Sequence, residues 1–160
     1  MKKFAAICLF LAWSHAGSAC ELPSDPAYFL SVLQEERDLT LQALAKSDLV
    51  FIGTVSEIRH GPVSPDPGDR VSEVSASVRQ ILLGAQEQAT VTLKARLHNQ
   101  IVSCFGNETF WDDQVEQDGE YIFFVSGSQI LSASPPARSW RRHGLTGQRE
   151  IVLSAIRSGR

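Results

Sequence analysis

The cysteines are the residues best suited to chemistry in this 160-residue chain. Cys20 lies in the stretch GSACELP, residues 17–23. A cysteine in that setting can carry a lipid, form a disulfide with Cys104, or become a new N-terminus whose α-amine binds a metal. All three roles depend on export of the chain, because the cytoplasm keeps thiols reduced and leaves export signals uncut.

The first 19 residues have the three parts of an export signal. Two lysines open the chain, residues 4–13 form a short apolar core, and residues 14–19 are small or polar. The core is far shorter than the ~20 residues that a membrane-spanning helix needs. The sequence therefore predicts a signal peptide over 1–19, a secreted or periplasmic protein, and no transmembrane segment. Cleavage falls before Cys20 or, alternatively, after Ala16.

Two cysteines, Cys20 and Cys104, remain after cleavage, because Cys8 leaves with the signal. In an oxidising compartment they most simply form one disulfide. A lipid anchor on Cys20 is the weaker alternative. Lipidated cysteines normally follow a leucine three positions earlier, where this chain has Gly17, and a lipid would leave Cys104 unpaired.

Other groupings of reactive residues carry weak signals. His60, His98 and His143 are scattered, without the HxH or HExxH spacing of metal sites. No serine has the surroundings of a nucleophile elbow. The acidic segment 111–120 lacks the terminal bidentate carboxylate of a calcium-binding EF-hand loop. We therefore predict no catalytic residue, no metal site and no cofactor.

The charge of the chain does not favour polyanion binding. The formal net charge is −3, and loss of two lysines with the signal makes the mature chain more acidic. Residues 138–143 combine arginines with a tryptophan and a histidine, but one such segment is more typical of a solvated linker. No nucleic-acid partner is predicted.

Two helices are predicted outside the β region. Apolar residues recur at helical spacing over Pro26–Lys46, and the Asp-Pro pair at 25–26 is typical of a helix start. The sequence is compatible with one continuous helix or with a break near residues 38–40. A short C-terminal helix is predicted over 146–157, with Thr146 as its N-cap.

Alternating polarity and β-branched residues predict about five strands, hence a mainly β fold such as a small barrel or sandwich. Gly53 inside the first strand indicates a bulge or bend. The segment 60–69 is rich in proline and glycine and indicates an exposed loop. The predicted strands are Leu49–Ile58, Val71–Leu82, Ala89–Leu97, Gly119–Val125 and Ser128–Ala133, with a short run at Ile101–Phe105.

The strand over 119–125 permits two interpretations. Every position from 121 to 125 is aromatic or aliphatic. Because side chains alternate across a strand, either Tyr121 and Phe123 or Ile122 and Phe124 face the interior.

Several segments, taken in order, resemble those of netrin-like domains. Residues 47–55, SDLVFIGTV, are similar to the first strand of that family, and residues 78–84, VRQILLG, to its second strand and the glycine turn after it. The resemblance covers roughly residues 20–125. Its remaining segments are Val91–Leu93 for the third strand, Ser103–Cys104 for the pair that bonds to the N-terminal cysteine, and GEYIFF over 119–124 for a later strand.

The netrin-like family includes the tissue inhibitors of metalloproteinases. The resemblance implies an OB-type five-stranded Greek-key barrel, which with the N-terminal helix and the short C-terminal helix predicted above makes one domain over residues 20–160. The helix at 26–46 departs from the family as an insertion ahead of the first strand. The resemblance also implies a Cys20–Cys104 disulfide and a non-enzymatic, protein-binding role.

The inhibitors suggest a sharper alternative. In them, the α-amine and carbonyl oxygen of the N-terminal cysteine chelate the catalytic zinc of the protease. The same chemistry would make Cys20 and Glu21 the candidate protease-contact residues here, and a zinc metalloprotease the partner. Glu21 replaces the small or hydroxyl residue of the family, and its charge would be buried near the protease's own carboxylate. A protein-binding module with an unidentified partner is therefore favoured.

Breaking the predicted disulfide should destabilise the protein. A bridge between Cys20 and Cys104 closes a loop of about 85 residues, which stabilises the folded state by roughly 4–5 kcal/mol on the loop-entropy account. Cys104→Ser should therefore unfold at lower denaturant concentration than the wild type under oxidising conditions, and like the wild type under reducing ones. Equal midpoints under oxidising conditions would mean that the cysteines are unpaired.

Overall fold

The computed structural model describes residues 25–63, 69–98, 115–134 and 143–159. In these ranges a helix precedes five strands and a second helix follows them, so the fold is mainly β, as the sequence predicts. The elements are α1 Pro26–Lys46, β1 Leu49–Val63, β2 Asp69–Leu83, β3 Thr90–His98, β4 Glu120–Ser126, β5 Gln129–Ser134 and α2 Gly144–Arg157.

The five strands form one mixed sheet that closes into a ring. Their order is β1-β2-β3-β5-β4, and β4 pairs with β1 to complete it. All pairs are antiparallel except β3 with β5, where Lys94 lies opposite Gln129 in parallel register. The Lys94 N–H donates to the Ser128 carbonyl oxygen at 2.8 Å across that junction. Closure leaves no sheet edge along the shared length of the strands.

Strand β1 pairs with β2 along one edge and with β4 along the other. Val50 lies opposite Leu83 of β2 on one edge and Phe124 of β4 on the other. The pairing with β4 covers Leu49–Thr54 only, whereas the pairing with β2 continues to Val63. The β1–β2 hairpin therefore extends beyond the closed part of the sheet.

Two glycines allow close backbone approach where motif segments meet. The β1–β2 register shifts between Ile52 and Gly53, and a Cβ at Gly53 would lie 2.5 Å from the Ser77 carbonyl oxygen. This confirms the bulge predicted at Gly53. Gly84 ends β2 with a φ of 79°, and its Cα lies against the Asp48 carbonyl oxygen. Any larger residue there would be strained and would displace the start of β1.

Two hydrophobic cores lie on the two sides of the sheet. The inner core fills the ring and contains a stacked pair, Phe51 and Phe123, with ring centroids 4.9 Å apart. The outer core lies between the sheet and the helices. Its buried members are Ala43, Leu44, Val50, Ile52, Ile122, Phe124, Val152 and Ala155.

Strand β4 contributes to both cores. Tyr121 and Phe123 face the interior of the ring, whereas Ile122 and Phe124 belong to the outer core. The first of the two interpretations of this strand is therefore the correct one. Both faces are buried, because the helices cover the side that a solvated sheet would expose to water.

The structure corrects three details of the sequence prediction. Helix α1 spans the range predicted for it but is unbroken at residues 38–40. Strand β1 runs to Val63, so the first part of the predicted loop at 60–69 is strand. Helix α2 begins at Gly144 after His143 as N-cap, so Thr146 is a first-turn residue and not the cap. The short run at 101–105 lies outside the described residues.

Truncation on either face of β4 should be costly. Phe123→Ala and Phe124→Ala each leave a cavity at a fully buried site, with an expected loss of about 3–5 kcal/mol in unfolding free energy. Val71→Ala is the matched control, because Val71 lies on β2 but is 54% exposed, and it should cost little. Denaturant unfolding measures all three. Small, equal losses at both phenylalanines would contradict the two-core arrangement.

Candidate functional site

The residues predicted to act at the mature N-terminus lie outside the described residues. Cys20, Glu21 and Cys104 all fall in ranges of which the structure gives no account. The disulfide and the protease contact therefore remain predictions. The nearest described residue is Asp25, where helix α1 is about to begin.

The start of α1 is fixed by a side-chain cap. Asp25 Oδ1 accepts a hydrogen bond from the Ala27 N–H at 2.9 Å, and Pro26 occupies the first turn. The proline needs no acceptor there, because its position lacks an N–H to satisfy. The predicted mature N-terminus is thus five residues from a capped helix.

The first turns of α1 expose apolar side chains. Leu30 is 67% exposed and Phe29 is 37% exposed. The Tyr28 ring meets Phe29 edge-on, with centroids 6.0 Å apart. We call Phe29 and Leu30 the α1 apolar pair. Contiguous exposed apolar surface is a feature of protein contact sites, and Phe29 and Leu30 are adjacent on α1.

Farther along α1, polar side chains are buried against α2. Glu36, Thr40 and Gln148 are 3%, 5% and 0% exposed. The Gln148 side-chain amide donates to Glu36 Oε1 at 2.6 Å, and the Thr40 hydroxyl lies 2.7 Å from Gln148 Oε1. The Thr40 hydroxyl also lies 2.8 Å from the Glu36 carbonyl oxygen. We call these three residues the Glu36 cluster.

The N-terminal end of α2 also binds to this cluster. The His143 backbone N–H points at the Glu36 carboxylate, 3.0 Å from Oε2 and 3.3 Å from Oε1. The His143 ring Nε2 lies 3.1 Å from the Leu33 carbonyl oxygen. A carbonyl oxygen can only accept, so Nε2 carries a proton. Both contacts join the start of α2 to the middle of α1.

The Glu36 cluster positions the helices and has no access for a substrate. A buried carboxylate is tolerated only where donors replace the water it has lost. Gln148 and the His143 N–H supply such donors. One turn farther along each helix the interface is apolar, with Leu44 of α1 and Val152 of α2 in the outer core. The apolar contacts stabilise the packing of α1 against α2, and the hydrogen bonds of the Glu36 cluster determine which residues of the two helices face one another.

The sequence contained a signal for this cluster that its interpretation missed. Glu36 lies four residues after Val32 and four before Thr40, on the buried stripe of α1. Gln148 likewise lies four residues before Val152 on α2. Charged neighbours of Glu36 made the stretch look solvated. Helical spacing alone places Glu36 on the inner face.

The β1–β2 hairpin carries two pairs of polar side chains, and neither pair is well placed to act on a substrate. His60 Nδ1 lies 3.2 Å from Ser72 Oγ, but Ser72 is 1% exposed, so its hydroxyl is closed to a substrate. Hydrogen bonds from Arg59 lower the pKa of the Glu57 carboxyl. Any stabilisation from this pair is present at neutral pH and is lost as the pH falls. Both side chains are exposed, so solvent makes it small.

The described ranges contain neither a metal-binding cluster nor a helix suited to a membrane. Within residues 25–63, 69–98, 115–134 and 143–159, no group of three or more His, Cys, Asp or Glu side chains could hold a metal ion. In the same part of the chain, neither helix has the length and apolar character needed to cross a membrane.

Comparison with protein-family models and with curated proteins finds no match for this chain. The features that bear on function are therefore the closed sheet, the α1 apolar pair and the Glu36 cluster.

The Glu36 cluster should contribute strongly to stability. Gln148→Ala removes a donor from a buried carboxylate, and the expected loss in unfolding free energy is about 2–4 kcal/mol. Gln42→Ala is the matched control, since Gln42 is an exposed residue on α1, and its loss should be under about 0.5 kcal/mol. Urea unfolding followed by circular dichroism gives both values. Similar losses for the two variants would mean that the buried hydrogen bonds do not hold the helices.

Proposed function

We propose that this chain is an exported netrin-like barrel that acts as a non-enzymatic protein-binding module through the first turns of α1. The observation that carries the proposal is the exposure of the α1 apolar pair, 37% at Phe29 and 67% at Leu30, on a helix that is packed firmly elsewhere. Water-exposed apolar side chains on a rigid element lose little entropy when a partner covers them.

The strand order supports the OB-type barrel of this proposal. The first three strands form a meander, β4 returns to pair with β1, and β5 lies parallel to β3. A returning strand that pairs beside the first strand is the Greek-key element of such barrels. Residues 99–114, which follow β3, are outside the described ranges, and the Greek-key connection through them is part of the proposal.

The arrangement of the motif segments supports the netrin-like resemblance. The segment 47–55 lies between the other two motif strands: Phe51 is opposite Ile81 on one edge and Phe123 on the other. The glycine that ends the segment 78–84 lies against Asp48, at the start of the first strand. Three segments that are far apart in sequence thus meet in one place, as they must if each is a motif of one fold.

The rigidity of α1 supports its role in binding. Its C-terminal half packs in the outer core through Ala43 and Leu44, and its middle is held by the Glu36 cluster. Only the first turns present large apolar side chains to water. The helix is therefore a fixed support for a short contact surface, and this is the geometry that lets a few residues dominate binding energy.

The alternative is a metalloprotease inhibitor that uses Cys20. One observation favours it: the cap at Asp25 fixes the chain five residues after Cys20. A chelating N-terminus requires such support, because its amine and carbonyl oxygen must reach one zinc ion together. The two hypotheses use neighbouring parts of the sequence and differ in the atoms that make the contact.

Partner capture should depend on the α1 apolar pair. The mature protein, residues 20–160, is immobilised and exposed to the exported proteins of its native host with a chemical crosslinker. Leu30→Ser should reduce recovery of the captured partner at least tenfold, since a central apolar contact is worth about 2 kcal/mol or more. The substitution is at an exposed position, so the melting temperature should stay nearly unchanged.

Val71→Ser is the matched control, because Val71 is 54% exposed but lies on β2, and it should capture the partner like the wild type. Equal recovery with Leu30→Ser would contradict the proposed surface. The inhibitor is tested in parallel on zinc metalloproteases, which the wild type and Glu21→Thr are expected not to inhibit. Inhibition that is lost when one alanine is added before Cys20 would instead establish chelation.

A further inference from the structure

Helix α2 lacks the features that normally begin a helix. Its N-cap residue, His143, makes no side-chain capping bond, and its first turn contains no acidic residue. The first N–H groups of any helix have no partner within it, and together they form a positive end. The sequence of α2 therefore leaves this end without the negative charge that usually stabilises it.

The missing charge comes from α1. Glu36 directs its carboxylate at the His143 N–H, with oxygens at 3.0 and 3.3 Å, and accepts from the Gln148 amide at 2.6 Å. The first group is the backbone N–H of the N-cap residue, and the second is a side chain in the second turn of α2. The carboxylate is 3% exposed, so water and salt screen its attraction to the helix end much less than at a surface.

The composition of α2 makes this support important. The helix has 14 residues, a length at which isolated helices are marginal in water. Glycines occupy positions 144 and 147, and Gly144 has a φ of 69°, so regular helical geometry is not established at the first residue of α2. The buried apolar residues Val152 and Ala155 lie nearer the other end of α2, and in the first turn Leu145 is only partly buried against the outer core. The polar contacts at the start of α2 come from α1.

We propose that Glu36 is a cross-helix cap that makes the ordering of α2 conditional on the docking of α1. The two helices then form one cooperative unit, although they lie at opposite ends of the described chain. When α1 is displaced, α2 loses its cap and its first turns unfold. When α1 is in place, Glu36 determines where α2 begins, although the first turn of α2 has neither a capping side chain nor an acidic residue.

The experiment measures amide hydrogen exchange on the mature protein, residues 20–160. Glu36→Gln keeps the shape of the side chain and removes its charge. The amides of α2 should exchange about tenfold faster than in the wild type, a loss in the range of a buried charge at a helix end. The amides of β1 and β4 should change less than about threefold. Glu35→Gln is the matched control, because Glu35 is the exposed neighbour on α1.

A second variant distinguishes capping from general packing. Thr146 is exposed in the first turn of α2, so Thr146→Glu supplies an acid at the position where a helix normally carries one. Added to Glu36→Gln, it should restore protection of the α2 amides to within about threefold of the wild type. If Glu36→Gln alone does not fold, the double variant should recover a folded protein.

Three results would overturn the proposal. Unchanged α2 exchange in Glu36→Gln would mean that the charge does not support the helix. Equal acceleration in α2, β1 and β4 would mean that Glu36 stabilises the whole protein without coupling the helices. Failure of Thr146→Glu to restore either protection or folding would mean that a buried packing defect, and not a missing cap, explains the loss.

Discussion

The first part of strand β1, Leu49–Thr54, is hydrogen-bonded along both edges, its residues Val50, Phe51 and Ile52 are buried on both faces, and the other elements depend on this arrangement. Phe51 faces inward and stacks on Phe123 of the adjacent strand β4, while Val50 and Ile52 lie in the outer core with the helices. A strand buried on both faces needs cover on both sides. The ring provides one cover, and the α1–α2 pair provides the other. Strand β1, like β4, supplies residues to both the inner and the outer core, so the packing of the two cores is coupled.

Much of this organisation could be predicted, because it is encoded locally. The apolar run of β1, the alternation in β2 and the Asp-Pro pair before α1 each act through their own residues and immediate neighbours. The start of α2 could not be predicted in this way. Its cap comes from Glu36, 107 residues earlier in the chain, so no signal was present near Thr146. The end of β1 was missed because Gly61 and Pro62 are typical of loops, yet they lie in a strand.

The candidate site was less predictable than the fold. The interpretation of the sequence centred on Cys20, Glu21 and Cys104, none of which is among the described residues. The structure directs attention to α1, where polarity is inverted relative to a simple amphipathic helix. Glu36 and Thr40 are buried, whereas Leu30 is exposed. Sequence periodicity reveals such a helix but cannot tell which polar residues have partners elsewhere in the fold. The position of α2 against α1 shows which polar residues of α1 have such partners.

The distance between Glu36 and Gln148 along the chain also affects how the protein is made. They are 112 residues apart, and synthesis at about 5–20 residues per second separates their appearance by roughly 5–20 s. Throughout that interval α1 exists without its covering helix, and the apolar stripe through Val32 and Leu44 lacks part of its native cover. Contacts between the two ends of a chain also slow folding, because a long loop must close first. The native packing of α1 against α2 therefore forms only after the rest of the described chain has been synthesised.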